Sequence, residues 1–260
     1  MNTRSFKVAF IIVITFLSIT SFAQDEPAKK TYHFNGDISV TNNGFSFIPT
    51  FSLGKPATIA DLSVGGKKFS FDPQFRFDLA GLKPWSFIFI WRYKVVQTER
   101  FQVKAGLHLP AISFLRQKVT ANGTTYEQIY TQRWCTPELT VSYKLTDRIS
   151  LGTYYIHGIG LEKEGQTKNT DFASLRMRLS NVRIVGNVYF QWDPQVYFIR
   201  MDDLSGFFAA QNFTLSHKKL PVSIASTMNI SLEADNEIPT ENFEWNVSLI
   251  YSFRNGFTKK

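Results

Sequence analysis

Residues Phe243–Phe253 read FEWNVSLIYSF. Phe243, Trp245, Val247, Leu249, Tyr251 and Phe253 are apolar, and of the intervening Glu244, Asn246, Ser248, Ile250 and Ser252 all but Ile250 are polar. Successive side chains of a β-strand point to opposite faces, so this spacing predicts a strand with one apolar and one polar face. In a soluble sheet the apolar face packs inward; in a closed barrel it can instead turn outward to hydrocarbon.

Working outward, the same period recurs. Tyr32, Phe34, Ile38 and Val40 alternate with His33, Asn35, Asp37 and Ser39, and Phe45, Phe47, Phe51 and Leu53 with Ser46, Thr50 and Ser52. Phe69, Phe71, Phe75, Phe77 and Leu79 oppose Ser70, Asp72, Gln74, Arg76 and Asp78. Further strands are expected at Trp85–Tyr93, Phe101–Leu109, Leu139–Leu145, Ile149–His157, Leu175–Leu179, Val182–Trp192, Phe207–Leu215 and Val222–Leu232. That gives about twelve strands, each with about twenty residues including its loop, a spacing typical of outer-membrane barrels. The second half is less regular, and Ile149–His157 has no clear facing.

Short connections at Gln97–Arg100, Thr146–Arg148, Ser180–Asn181 and His217–Pro221 alternate with longer ones at Gln117–Tyr126, Gly158–Asp171, Met201–Ser205 and Ala234–Asn242. Short turns at one end and long loops at the other are the barrel arrangement. Residues Gly54–Gly66 break the rule and read as an insertion folded across the barrel base. Pro49, Pro73, Pro137 and Pro194 fall in strand-like runs, and in a barrel without edges each needs a bulge or a place beyond the apolar zone.

Arg4 and Lys7 precede an apolar core at Val8–Ile19, and Ser21-Phe22-Ala23 is a small-x-small cleavage pattern. Residues 1–23 are therefore expected to be a cleaved signal peptide and residues 24–260 one barrel domain. Losing Arg4 and Lys7 lowers the net charge from +8 to +6. The single Cys135 excludes an internal disulfide and a cysteine metal site. After Gln24 no apolar run is long enough for a membrane-spanning helix.

The competing architecture is a soluble exported β-barrel that binds a small ligand, with phenylalanine rows inside and lysine and glutamate outside. The polar partners here are mostly Ser, Thr, Asn and Gln, as in a wet lumen. Aromatics such as Trp85, Trp91, Tyr93, Trp245 and Tyr251 gather near strand ends, where interfacial girdles belong. The leader ending SFAQ, the aromatic dyad strands and the terminal FEWNVSLIYSF together resemble outer-membrane β-barrel proteins of Gram-negative bacteria, the Bacteroidota type in particular. The resemblance implies an all-β, antiparallel up-and-down transmembrane barrel in the outer membrane, in contact with its lipids and lipopolysaccharide. It also implies that Phe243, Trp245, Val247, Leu249, Tyr251 and Phe253 form the signal read by the barrel-assembly machinery. Residues Arg254–Lys260 depart from the pattern, in which an aromatic ends the chain.

On the polar parity, Arg76, Arg92, Lys104, Arg176 and Arg178 are candidates for a lumen constriction, with Asp72, Asp78 and Glu138 as acidic partners. Paired, they would fill the bore; unpaired, they would select small anionic solutes. The expected role is a structural or accessory barrel, alone or within an outer-membrane complex, or a narrow pore with a net-basic lumen. An alternative is a lipid-modifying barrel enzyme of the lipase or deacylase kind. None of His33, His108, His157 and His217 stands beside an evident nucleophile, and His157 at the mouth of a loop is the least poor candidate. No catalytic residue, cofactor, metal site or nucleic-acid partner is expected.

Overall fold

The computed structural model describes residues 31–46, 48–121, 123–162 and 167–258. The expected signal peptide, residues 1–23, lies outside these. The strands are β1 (Thr31–Thr41), β2 (Ala57–Gly65), β3 (Phe69–Asp78), β4 (Lys83–Gln97), β5 (Phe101–Ala121), β6 (Thr124–Lys144), β7 (Ile149–Gly160), β8 (Asn169–Val185), β9 (Val188–Met201), β10 (Leu204–His217), β11 (Val222–Ala234), β12 (Phe243–Trp245) and β13 (Ser248–Thr258). Each is antiparallel to its neighbours, and β12 and β13 are two halves of one strand, both paired with β11. The ring closes where β1 pairs with β13, from Thr31↔Thr258 to Thr41↔Ser248. The result is a closed antiparallel barrel of twelve strands.

The dyad pattern faces apolar side chains outward. Phe243, Trp245, Val247, Leu249 and Tyr251 are exposed, while Glu244 and Asn246 between them are buried in the lumen. On β3 and β4 the outward rings form a ladder, Phe69 and Phe71 on Trp91, Phe75 and Phe77 on Phe87.

Four sequence readings need correction. Residues 45–53 are not a strand, apart from an isolated bridge between Phe45 and Ser52. They belong to the β1–β2 connection, which folds into the bore, whereas the supposed insertion 54–66 contains β2. Thus the count of about twelve is right, with one member exchanged. Second, the turn near residue 180 falls at 186–187, and Ser180–Asn181 is a bulge within β8, where Asn181 has φ 57°. Third, Gln117–Tyr126 is a two-strand ribbon paired through Ala121↔Thr124. Beyond Ser113 and Trp134 its two strands share no ladder with a third among the described residues, and at its base Arg116, Glu127 and Arg133 bond to Asp78, Lys83 and Glu162. Fourth, Arg254 does not begin a trailing tail: the strand continues to Thr258.

The prolines explain themselves in the ladder. Pro73 lies where the β2–β3 pairing skips from Asp61↔Gln74 to Val64↔Phe71. Pro137 lies in the gap between Cys135↔Ile159 and Glu138↔Ile156, and Pro194 in that between Arg176↔Gln195 and Leu179↔Trp192. Each lacks an N–H where one of its two ladders is already interrupted. Pro49 sits in the inward-folded loop.

Five turns (66–68, 98–100, 145–148, 186–187, 218–221) and both described termini occupy one end, the turn end. The ends of β1, β3, β5, β7, β9 and β11 lie at the other, the loop end, with the described connecting residues 42–46, 48–56, 79–82, 123, 161–162, 167–168, 202–203 and 235–242.

Candidate functional site: the interior of the barrel

Three layers fill the bore. The middle one is a polar belt along the β1–β7 wall. Arg92 on β4 donates from Nε to Glu138 Oε1 at 2.5 Å and from Nη2 to Oε2 at 3.0 Å. Its Nη1 donates to Asp72 Oδ2 at 3.0 Å. Glu138 Oε2 also accepts from the Tyr154 hydroxyl at 2.6 Å and lies 2.8 Å from His108 Nε2. Asp72 accepts from Ser63 Oγ at 2.6 Å, and that hydroxyl is 3.0 Å from His33 Nε2. The Glu138 side chain has no solvent exposure. A carboxylate enclosed in this way stays charged only because donors surround it.

Arg92 and Glu138 sit two strands apart, and Gly106 on β5 lies in register between them. A Cβ there would come within 2.5 Å of Glu138 Oε1. The absence of a side chain at this position is what lets the pair meet across β5.

Below the belt, a vestibule of about 880 Å³ opens at the turn end. Lys104, Arg176 and Arg178 line it with Arg100 and Lys144, opposite the carboxylates Asp37, Asp61, Glu99 and Asp193. Five cations against four carboxylates leave only a small basic excess. Arg178 is paired with Asp193 at 2.6 Å, and Arg176 stacks over the Tyr154 ring at 5.9 Å.

Above the belt, the first loop enters the bore. Ile48 and Ile238, from connections 42–56 and 235–242, pack with Tyr154, Ile156, Phe172, Tyr197, Ile199 and Phe208 on the β7–β10 wall. Thr50 Oγ1 lies 2.7 Å from the Tyr197 hydroxyl, which donates to Asn229 Oδ1 at 2.5 Å. Ser52 Oγ donates to Glu244 Oε1. Thr50 and Asn229 are fully buried.

The candidate constriction residues therefore separate. Arg92, Asp72 and Glu138 come together in the belt. Asp78 meets Arg116 at 2.6 Å, not any of the named arginines. Arg76 is buried on the same wall, with one hydrogen bond, to Gln74 at 3.0 Å. Lys104, Arg176 and Arg178 belong to the vestibule. Sequence reasoning missed Gly106, Tyr154, Tyr197, Asn229 and Thr50. For Tyr154 the strand gave no signal: Gly152, Tyr154 and Ile156 share the inward parity of Ser150, but the outward Leu151 and Tyr155 look equally apolar.

His157 lies on the outer face, its Nδ1 2.8 Å from Asp171 Oδ1. Asp171 also accepts from the Tyr155 hydroxyl at 2.7 Å and from Arg200 Nη2 at 2.5 Å. The hydroxyl in this cluster is a phenol already committed to the same carboxylate.

The NanC porin matches this chain with a TM-score of 0.52 at 12% identity, over 84% of this chain and 98% of that one. The fold is shared with a porin. Two KdgM porin structures, one in complex with disordered oligogalacturonate, have TM-scores of 0.49 and 0.48 at 11% and 10% identity, over 84% and 85% of this chain and 99% of each of theirs. At such identities the likeness concerns the barrel alone and says nothing of what passes through it. No protein-family model matches the sequence, and no curated protein is significantly similar to it.

Proposed function

We propose that this is an outer-membrane β-barrel whose bore is stoppered by its own first loop: a closed accessory barrel or gated narrow channel, not an open porin. The outward apolar face fits a hydrocarbon slab. The turn end, which carries both described termini, is then periplasmic, and the loop end external. In this reading residues 1–23 direct export, and Phe243–Phe253 is the strand presented to the assembly machinery.

The observation that carries the proposal is the position of residues 42–56. Burying Ile48 contributes roughly 1.5–3 kcal/mol, and each of the Thr50 and Ser52 hydrogen bonds about 1 kcal/mol. A loop held by these contacts stays inside most of the time but is releasable. The belt narrows the bore further, because its charges satisfy one another and leave little net field to draw ions. Anion selection by a basic constriction is correspondingly weak.

The test is thiol accessibility. In a Cys135→Ser background, Ile48→Cys is expected to react with a bulky, membrane-impermeant maleimide far more slowly than the exposed Lys55→Cys. Adding Thr50→Ala and Tyr197→Phe is expected to speed labelling at position 48. Equal rates at 48 and 55 in the otherwise intact loop would place it outside the bore.

A further inference from the structure

The loop end contains a chamber of about 470 Å³ between the inward-folded loop and the β4–β8 wall. Its lining differs in kind from that of the vestibule. Phe51, Trp85, Ile88, Ala111, Trp134 and Ile156 supply an apolar surface, and among the described residues no Lys, Arg, Asp or Glu lines it. Uncharged polar residues complete the lining: Ser86, His108, Ser113, Gln132, Thr136, Thr167 and Thr170 on the wall side, with Ser46 and Ser52 on the loop. On the wall side, His108 is already engaged with Glu138 and Gln132 with the Thr167 carbonyl. The Ser86 hydroxyl, on a residue 7% exposed, has no partner among the described residues.

A barrel that only needed to be blocked would fill this space. Ile88, Ile90, Ala111 and Trp134 do form a cluster, but it stands apart from the one holding Ile48 and Ile238. Between these two apolar clusters the space stays open. A concavity of roughly 300–1,000 Å³, mainly apolar with a few polar groups, has the form of a small-molecule site. We propose that this chamber binds a compact, uncharged, largely aromatic or aliphatic molecule with at most one hydrogen-bonding end. A carboxylate or sulfonate would be desolvated there with no cation among the described lining residues to pair with it, and is expected to bind far more weakly. The site rests on the barrel and its inward loop, not on whether the belt conducts.

Trp85 and Trp134 provide the readout. The intact protein, in nanodiscs of defined phospholipid, is titrated with N-phenyl-1-naphthylamine, which is neutral and accepts energy from tryptophan. Its sulfonated relative 8-anilino-1-naphthalenesulfonate is titrated in parallel. The expected result is a saturable one-site signal for the neutral probe, displaced by toluene but not by benzoate, with at least tenfold weaker binding of the sulfonate. Ala111→Phe and, independently, Gly158→Leu project into the chamber and are expected to weaken binding tenfold or more while retaining heat-modifiable mobility. At Gly158 an added Cβ lies 3.3 Å from the Trp134 ring, which must shift by a few tenths of an ångström to admit it. A linear, unsaturable signal in the wild type, equal binding of the sulfonate, or unchanged binding in a folded variant would each overturn the proposal. Because the wild-type displacement series decides by itself, failure of both variants to fold leaves the proposal falsifiable. A wild type that stays open in planar bilayers and keeps toluene-sensitive binding would refute the stoppered-barrel reading and spare this one.

Discussion

Replacing Arg92 by Met removes two donors from a carboxylate with no solvent exposure. Glu138 keeps only His108 and Tyr154, and Asp72 loses its guanidinium but retains Ser63 and Ser70. Breaking one side of a buried pair costs about 3–5 kcal/mol, mostly as the penalty of the charge left behind. Replacing both partners with apolar side chains of similar volume removes that penalty. Arg92→Met/Glu138→Met is therefore expected to recover part of the loss, Asp72 still lacking its guanidinium, with a coupling above about 2 kcal/mol between the two sites. Gly106→Ala should resemble the single Arg92 variant, because its Cβ would lie 2.5 Å from Glu138 Oε1 and drive the carboxylate out of the pair. Urea unfolding in detergent, followed by tryptophan emission and by gel mobility without boiling, measures all three. Additive single losses in the double variant, or a Gly106→Ala protein as stable as wild type, would refute the belt as the organiser of the bore.

Two further outcomes follow from the facing and from the vestibule. Leu249→Arg puts a charge on the outward face, where Leu249 is 57% exposed, and should cost about 2–4 kcal/mol if the site is near the bilayer midplane. Ser248→Arg, its inward neighbour, should cost much less, and equal losses in refolding titrations would reverse the facing. Arg178→Glu places a carboxylate against Asp193 and should destabilise more than Arg176→Glu, whose guanidinium makes only a ring contact. The same titrations check that order, and a reversed order would mean the Arg178–Asp193 pair is not held in solution.

The barrel was legible because a strand with an apolar outer and a polar inner face must alternate, and Phe243–Tyr251 does so almost without exception. The pattern failed where the interior is itself apolar. Ile156, Phe172, Ile199 and Phe208 face inward to receive Ile48, so β7–β10 lose the polar half of their alternation. That accounts for the irregular second half and for the unclear facing of Ile149–His157. Residues 45–53 misled for the opposite reason: their sequence alternates, but Ile48, Pro49 and Thr50 are buried one after another, as in a loop packed on all sides. In β2, by contrast, Ala60, Leu62 and Val64 oppose Asp61 and Ser63 with small side chains, a weaker signal than the phenylalanines nearby. The belt was half legible, because the charged parity of Asp72, Arg92 and Glu138 could be read, but not the partner each would take. That choice rests on Gly106, whose role depends on two strands it does not belong to.

The most direct measurement of the stoppered barrel is single-channel recording in planar bilayers. The wild type is compared with a protein in which residues 45–53 are replaced by a Gly-Ser segment of equal length. The wild type should stay closed or show only rare, small openings, and the replacement should give frequent, larger steps. Wild-type channels that open as often and as widely as the replacement would contradict the account.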